Sequence, residues 1–511
     1  MDSHTKKIVA EGLAYLLSKN DILDAEVFAS ANKILTCRIN YTSHLPCNGL
    51  EEPKSIQTQG VGLRLAFKES GGTTVGFGQE TGSVSPEAIQ SAYTKAKEGA
   101  VHDPDFHGLP APDGEERTLV NYHDESILHI SDETLVATGW KTIHSALEEY
   151  GRSPLVQEQN PDELGLILGG DVTIIQEKIV IASPHFPNVQ EDTSTITYSA
   201  LTSMIEKTNS KGSGWSVGID SDSFGGEAGK MAVQSALQSI GGMSIESGTY
   251  AVILAPQAVA DVINNIVIPS LRLDIFYAGN STYQGKLGEK VTSELLSIYD
   301  RGNSKGLAAS KGITCEGLPT GSTDLIIRGR LSGLLSNDYE RKRMLKDPRA
   351  KEKLGVDPFT WQKSFVPRNG FRFSRGGGRS HAVIPSICPT NVVIEGENGS
   401  SLQELLVKIH TGIYIGRIWY TYPINGLHAG DFTSTIVGDS YLIKNGKLAE
   451  PLKPNTVRIN DNVHSVFNTM VGLENKQKGI VLWAADEVIY APHIALSQMK
   501  LSKISEFVQS L

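Results

Sequence analysis

Residues 5–18 place Ile8, Val9, Leu13, Leu16 and Leu17 at helical intervals, so the chain opens on an amphipathic helix. Two runs, "DAEVFASAN" and "KILTCRINYT", read as separate strands. "GVGLRLAFKESGGTTVGFGQ" reads as a β-hairpin turning at Glu69-Ser70-Gly71-Gly72. In "SPEAIQSAYTKAKEGA", Ser85 stands at the N-cap and Pro86 at the first helical position, where its missing N–H costs nothing. A helix is expected around 132–150. "DVTIIQEKIVIASP" and "STITYSALTSMIEK" follow as antiparallel strands, and "GGEAGKMAVQSALQSIGG" as a further helix. Beyond "SIESGTYAVILAP" short strands dominate, interrupted by one charged helical insert at 338–362.

The fold class these patterns predict is α+β: mixed and antiparallel sheets with flanking helices, in two smaller N-terminal modules and a larger, mostly β C-terminal one. The Pro/Gly/Asp-rich connector "HDPDFHGLPAPDGEE" supplies a boundary, giving domains at 1–110, 111–245 and 246–511. A chain of 511 residues is too long for one core, and 51 glycines favour a turn-rich, sheet-heavy architecture.

A net charge of −10 offers no basic face for a phosphate backbone, so no nucleic-acid partner is expected. The richest basic run, "YERKRMLKDPRAKEK", also holds Glu340, Asp347 and Glu352 and reads as a solvated helix. Cys37, Cys47, Cys315 and Cys388 form no CxxC pair, which argues against a zinc ribbon or a disulfide framework and fits reduced thiols. No signal peptide and no membrane span are read, so a soluble, cytoplasmic protein is expected.

The common catalytic motifs are missing: no HExxH, GxSxG, Walker loop, or GxGxxG opening a helix. His102 and His107 sit in the connector as solvated loop residues, and His493 reads as a satisfied core histidine. Cys315 has Glu316 beside it, and a negative neighbour raises a thiol pKa, so it is a poor nucleophile. "SRGGGRSH" has the composition of a phosphate cradle without the strand-loop-helix setting; a glycine loop is the simpler reading.

From "GVGLRLAFKESGGTTVGFG" onward, longer segments and the overall order of modules carry a resemblance along nearly the whole chain. The segments that follow it are "QGKLGEKVTSELLSIYD", "CEGLPTGSTDLIIRGRLSGLL", "NVVIEGENGSSLQELLVKIHTGIYI" and "NGLHAGDFTSTIVGDSYLIKNGKLAEPLK". Together they resemble the TldD/PmbA family. That resemblance implies two branches: a zinc peptidase with HExxxH on the helix after a "VLAP"-like strand, and a PmbA/TldE-like branch that keeps the fold without the motif. Anchored on Leu254-Ala255-Pro256 and Asp274, the three motif positions fall on Asn264, Asn265 and Pro269. The peptidase branch's "PGxCGKxGQ"-like segment is missing too; the tail reads "KGIVLWAADEVIYAPHIALSQM".

Chemistry agrees with the degenerate reading. Zinc needs strong N or S donors and an open position for water. Asn264 offers a neutral amide oxygen, Asn265 cannot accept the water's proton, and Pro269 has no side-chain donor. No metal, cofactor or catalytic residue is therefore expected. Ala258, Val259, Val262, Ile263, Ile266 and Val267 form a half-circumference apolar arc with Asp261, Asn264 and Asn265 opposite, so the helix is structural and Pro269 ends it.

The resemblance implies a metal-free subunit of a TldD/TldE-type metalloprotease complex acting on unfolded or small peptides. Its partner would be a TldD-like zinc-bearing subunit or a second copy of itself, and it would wall a peptide cleft with exposed strand edges. Two alternatives stay open. One is a self-sufficient enzyme on the same scaffold, with Glu316, Arg379 and Asp431 as cleft candidates. There Asp431 beside His428 would form a base-orienter pair, against the simpler reading of Asp431 as a turn cap after Gly430. The other is a non-enzymatic regulatory protein, in keeping with the family's inherited label as a modulator of DNA gyrase.

Overall fold

In the computed structural model, residues 3–504 are described apart from 46–47, 70–71, 113, 160, 220–224, 398 and 484. Cys47, and Ser70-Gly71 of the expected hairpin turn, lie outside the described residues.

The N-terminal half is built on one eight-stranded antiparallel sheet. Its long members are β1 (Ile22–Thr42), β2 (Lys54–Glu69), β3 (Gly72–Thr81), β4 (Leu166–Ala182), β5 (Gln190–Ile205) and β6 (Ser210–Gly218). The two runs read as separate strands are a single 21-residue strand, β1, which pairs with β2 on one side and with β4 on the other. The two N-terminal modules thus share one sheet. Asn32, the last residue of the first run, lies mid-strand, where its side-chain amide donates to the carbonyls of Gly377 and Arg379 at 3.0 and 2.9 Å.

Alternation along β1 and β4 assigns the two faces. Val27, Ala29, Leu35 and Cys37 of β1 and Val172, Ile174, Val180 and Ala182 of β4 are buried beneath helices. Those helices are α1 (Ser3–Leu17) and α2 (Pro86–Glu98) over one half, α3 (Asp132–Arg152) and α4 (Glu227–Gln238) over the other. Ser85 caps α2 as expected, its Oγ accepting the Ala88 N–H at 3.2 Å. On the opposite face Phe28, Ile179 and Ile181 pack against Ile313, Cys315 and Phe371 of the C-terminal half.

That half holds a nine-stranded and a six-stranded mixed sheet around the largest apolar core. The strand β7 (Gly248–Leu254) lies inside the nine-stranded sheet, between Ile494–Lys503 and Gly412–Ile415, while β8 (Arg417–Pro423) forms one of its edges. The architecture is α+β, as the patterns predicted.

The basic insert departs from its expected solvated form. It splits into Asp338–Lys346 and Ala350–Leu354, with Pro348 between, and buries Asp338, Glu340, Met344, Ala350 and Leu354. Its polar side clamps the connector: Tyr339 OH donates to Asp103 at 3.1 Å, Lys342 donates to the Leu109 carbonyl at 2.8 Å, and the Arg343 guanidinium lies 3.1 Å from the Asp105 carboxylate. Charge alone suggested solvent; the charges have partners across the chain instead. Among the described residues no helix is long and apolar enough to cross a membrane.

Candidate functional site

The helix after β7 starts at Pro256, directly behind Ala255. It runs as Pro256–Val262, one π-helical turn over Ile263–Val267, and Ile268–Ser270, together α5. The π turn is closed by the Ile268 N–H donating to the Ile263 carbonyl, five residues back. This wider turn makes room for the Pro269 ring, which would otherwise press on the preceding turn. Pro269 therefore lies inside the last turn, and the helix ends one residue after it.

The predicted apolar arc is fully buried, all six of its members at 0% exposure. The opposite side is not in solvent either. Gln257 and Asp261 are buried, Asn264 and Asn265 half-buried. Gln257, Asp261 and Asn265 stack four residues apart. Gln257 Nε2 donates to Asp261 Oδ2 at 3.2 Å, and Asn265 Nδ2 donates to Asp261 Oδ1 at 3.1 Å and to the Asp261 carbonyl at 2.9 Å. Gln257 also donates from Nε2 to the Ile418 carbonyl at 3.2 Å and accepts the Ile418 N–H on Oε1 at 2.9 Å, closing the edge strand β8. Burial pushes the Asp261 carboxyl up to about 6, while hydrogen bonds from Thr421, Asn265 and Gln257 pull the other way.

Asn264 stands within hydrogen-bonding reach of Glu487. Burial, reinforced by the neighbouring Asp486, raises the Glu487 carboxyl to about 7. Asp486 is itself raised by burial, and its carboxylate accepts N–H groups from Gly376 and Gly378, each at 2.8 Å. The glycine loop that had a phosphate cradle's composition thus wraps a carboxylate of its own chain. The half-buried Cys388 thiol, close enough to sense Glu487 and Arg272, is pushed up to about 11 by burial. Sequence reasoning missed Glu487 and Asp486; their only local mark is a pair of adjacent acids in an apolar tail.

These residues do not suit zinc. The positions on which the resemblance places the motif, Asn264, Asn265 and Pro269, hold two amides and an imino acid, one amide committed to Asp261 and the other facing Glu487. Among the described residues no three His, Cys, Asp or Glu side chains converge as a metal would require.

The cleft candidates lie apart from this helix and from one another. Arg379 is fully buried between the halves, donating to Asp192 Oδ2 at 2.9 Å and to Ser194 Oγ at 2.8 Å, with its backbone N–H on Glu177 at 2.6 Å. Glu177 also meets Lys311 at 2.6 Å. Burial alone would raise Glu177, but Lys311 and Arg379 outweigh it and hold the carboxylate at about 2. Glu316, fully buried, accepts the Asp338 N–H at 3.0 Å and lies 3.5 Å from Arg64, which pairs with Glu26; Arg372 pairs with Glu26 too. Burial raises the Glu316 carboxyl. Asp431 opens a strand and accepts the Asn462 amide at 2.9 Å and the Asn425 amide at 3.4 Å, holding the turn that ends at Gly430. His493 is satisfied on both nitrogens, by Tyr414 OH at 3.0 Å and Glu474 at 2.6 Å. Cys315 is buried and its thiol is pushed up to about 12 by burial.

Residues 247–503 match the family described as PmbA/TldA metallopeptidase C-terminal domain, half of the chain, and the protein belongs to the TldD/PmbA family. It is 27% identical over 281 residues to a metalloprotease TldD homolog of Buchnera aphidicola subsp. Acyrthosiphon pisum, covering 54% of this chain and 52% of that one. It is 26% identical over 236 residues to a metalloprotease TldD homolog of Haemophilus influenzae, covering 45% and 42%. The chain thus spans about half the length of these relatives. In fold it is similar to TldE from Thermococcus kodakarensis, with a TM-score of 0.75 over 98% of this chain and 100% of the other at 18% identity, a likeness of fold alone.

Proposed function

We propose that this chain is the metal-free, non-catalytic subunit of a TldD/TldE-type peptidase, acting with a zinc-bearing relative on unfolded or small peptides. What supports this reading is that α5 follows β7 and its polar side closes on protein groups, with Asn264, Asn265 and Pro269 standing where the resemblance would put the motif. The surface offered to peptide or partner is the outer side of β8. Trp419, Tyr420 and Tyr422 are 50%, 67% and 48% exposed there, and the first two rings stack. With the backbone edge closed at Ile418 by Gln257, contact would come from these rings, large flat surfaces with little conformational entropy to lose. The test is reconstitution. Purified alone, the chain should carry no stoichiometric zinc and hydrolyse no peptide; adding an HExxxH-bearing relative should produce hydrolysis. One tightly held zinc per chain overturns the proposal.

A second reading, metal-independent chemistry by the chain itself, is favoured by Glu487, a half-buried carboxyl at about 7 and so matched to proton transfer near neutrality. It requires a turnover by the lone chain that Glu487→Gln abolishes without loss of folding.

A further inference from the structure

The helical face of the N-terminal sheet carries two separate apolar clusters. One, under α1 and α2, includes Ala29, Val61 and Val180; the other, under α3 and α4, includes Leu35 and Ile174. Between them the register sets a polar row across four strands: Gln59 opposite Ala31, Ala31 opposite Lys178, Lys178 opposite Thr193. Neither helix layer covers this row. It floors a cavity of about 950 Å³, walled by the N-terminal end of α1, the loop before α2 and residues 117–129.

The charges around this cavity are mostly committed. Asp192 is held by Arg117 and Arg379, Glu191 pairs with Lys6, and Glu125 lies 3.4 Å from His123 Nε2 and 3.6 Å from His129. One group is not. Lys178 is half-buried and makes no ion pair or hydrogen bond among the described residues, and Glu191, diagonal to it across β4 and β5, is paired with Lys6. A half-buried ammonium without a direct partner gives up hydration that no hydrogen bond replaces.

We infer that this trench is a binding site for a small oxyanion-bearing ligand, a carboxylate or a phosphate, seated on the Lys178 ammonium. Its floor is the helical face of the sheet, its rim reaches the C-terminal half where Tyr122 and Asp192 accept the Gly312 N–H, and the inference does not depend on the peptidase reading. The probes are succinate and inorganic phosphate, titrated calorimetrically into the full chain. At least one should bind saturably at millimolar concentrations; which one does tells carboxylate from phosphate. Lys178→Met should weaken that binding at least about tenfold, and Lys178→Arg should restore part of it. In the wild-type chain the binding probe should protect Lys178 from reductive methylation, read by mass spectrometry, so the result does not rest on a variant that folds. No saturation with either probe, equal affinity in Lys178→Met, or no protection of Lys178 overturns the inference.

Discussion

The side-chain amide of Gln257 is paired with the backbone of Ile418 through both of its polar atoms, as a neighbouring strand would be. One residue of α5 thereby does the work of a missing strand at the edge of the nine-stranded sheet, and exposed edges of this kind invite unwanted pairing. Gln257→Ala should leave the Ile418 N–H and C=O without partners and remove a donor from Asp261. The expected cost is about 1–3 kcal/mol in urea unfolding. Gln257→Glu should cost more at pH 8 than at pH 5, because a carboxylate cannot donate to Ile418 and would face Asp261. A cost unchanged by pH would count against this account of the edge.

Lys311 and Glu177 meet at 2.6 Å with both side chains fully buried, one on each half of the molecule. Lys311→Met should leave Glu177 to Arg379 and Ser194 alone and destabilise the chain by about 1.5–3 kcal/mol. Pairing it with Glu177→Gln should recover a large part of that loss. Additive losses in the double variant, read from urea midpoints, would mean that the pair does not couple the halves.

How much of this was legible beforehand depends on whether the signal is local. The apolar arc of α5, the Ser85 cap and the strands β2, β4 and β5 follow from period and capping chemistry, and these the structure reproduces. What did not read locally were polar residues with distant partners. β1 read as two strands, although Asn32 at the join is held by Gly377 and Arg379, far along the chain. The insert looked solvated because Asp103, Asp105 and Leu109 cannot be seen from "YERKRM". Arg379 and Glu316 drew notice as polar landmarks, yet their partners come from the N-terminal sheet and from residue 338. The residue types at 264, 265 and 269 are read directly from the chain; the closure of that face by Glu487 and β8 was not legible, because it is a matter of topology.

Trp419 and Tyr420 stack in the open on β8, where their loss removes surface and little packing. Replacing both with alanine should change unfolding free energy by less than about 1 kcal/mol. If β8 faces the peptide or the zinc-bearing relative, the same change should lower reconstituted hydrolysis at least about tenfold. Undiminished hydrolysis would move the contact surface elsewhere, with Trp483, 93% exposed, the next candidate.

The last prediction concerns pH, and the two sets of buried carboxyls act in opposite directions. Burial raises Asp261 and Asp300 to about 6, and Asp439 and Glu487 to about 7. Each binds its proton more tightly folded than unfolded. Its contribution is therefore fully present below the ordinary carboxyl range and is lost as pH rises through the folded value. Glu177, held at about 2 by Lys311 and Arg379 against its burial, works the other way: its contribution is present above the ordinary range and is lost as pH falls. Stability should therefore peak near the ordinary carboxyl range, at about pH 4, fall between about pH 4.5 and pH 7, and level off above that. Urea midpoints across that range measure it. Glu487→Gln should flatten part of this decline and leave the acid limb alone, since it removes one raised carboxyl and touches neither Lys311 nor Arg379. A midpoint that climbs from pH 5 to pH 8 would show that these carboxyls stay charged in the folded chain, and that water or a partner reaches them.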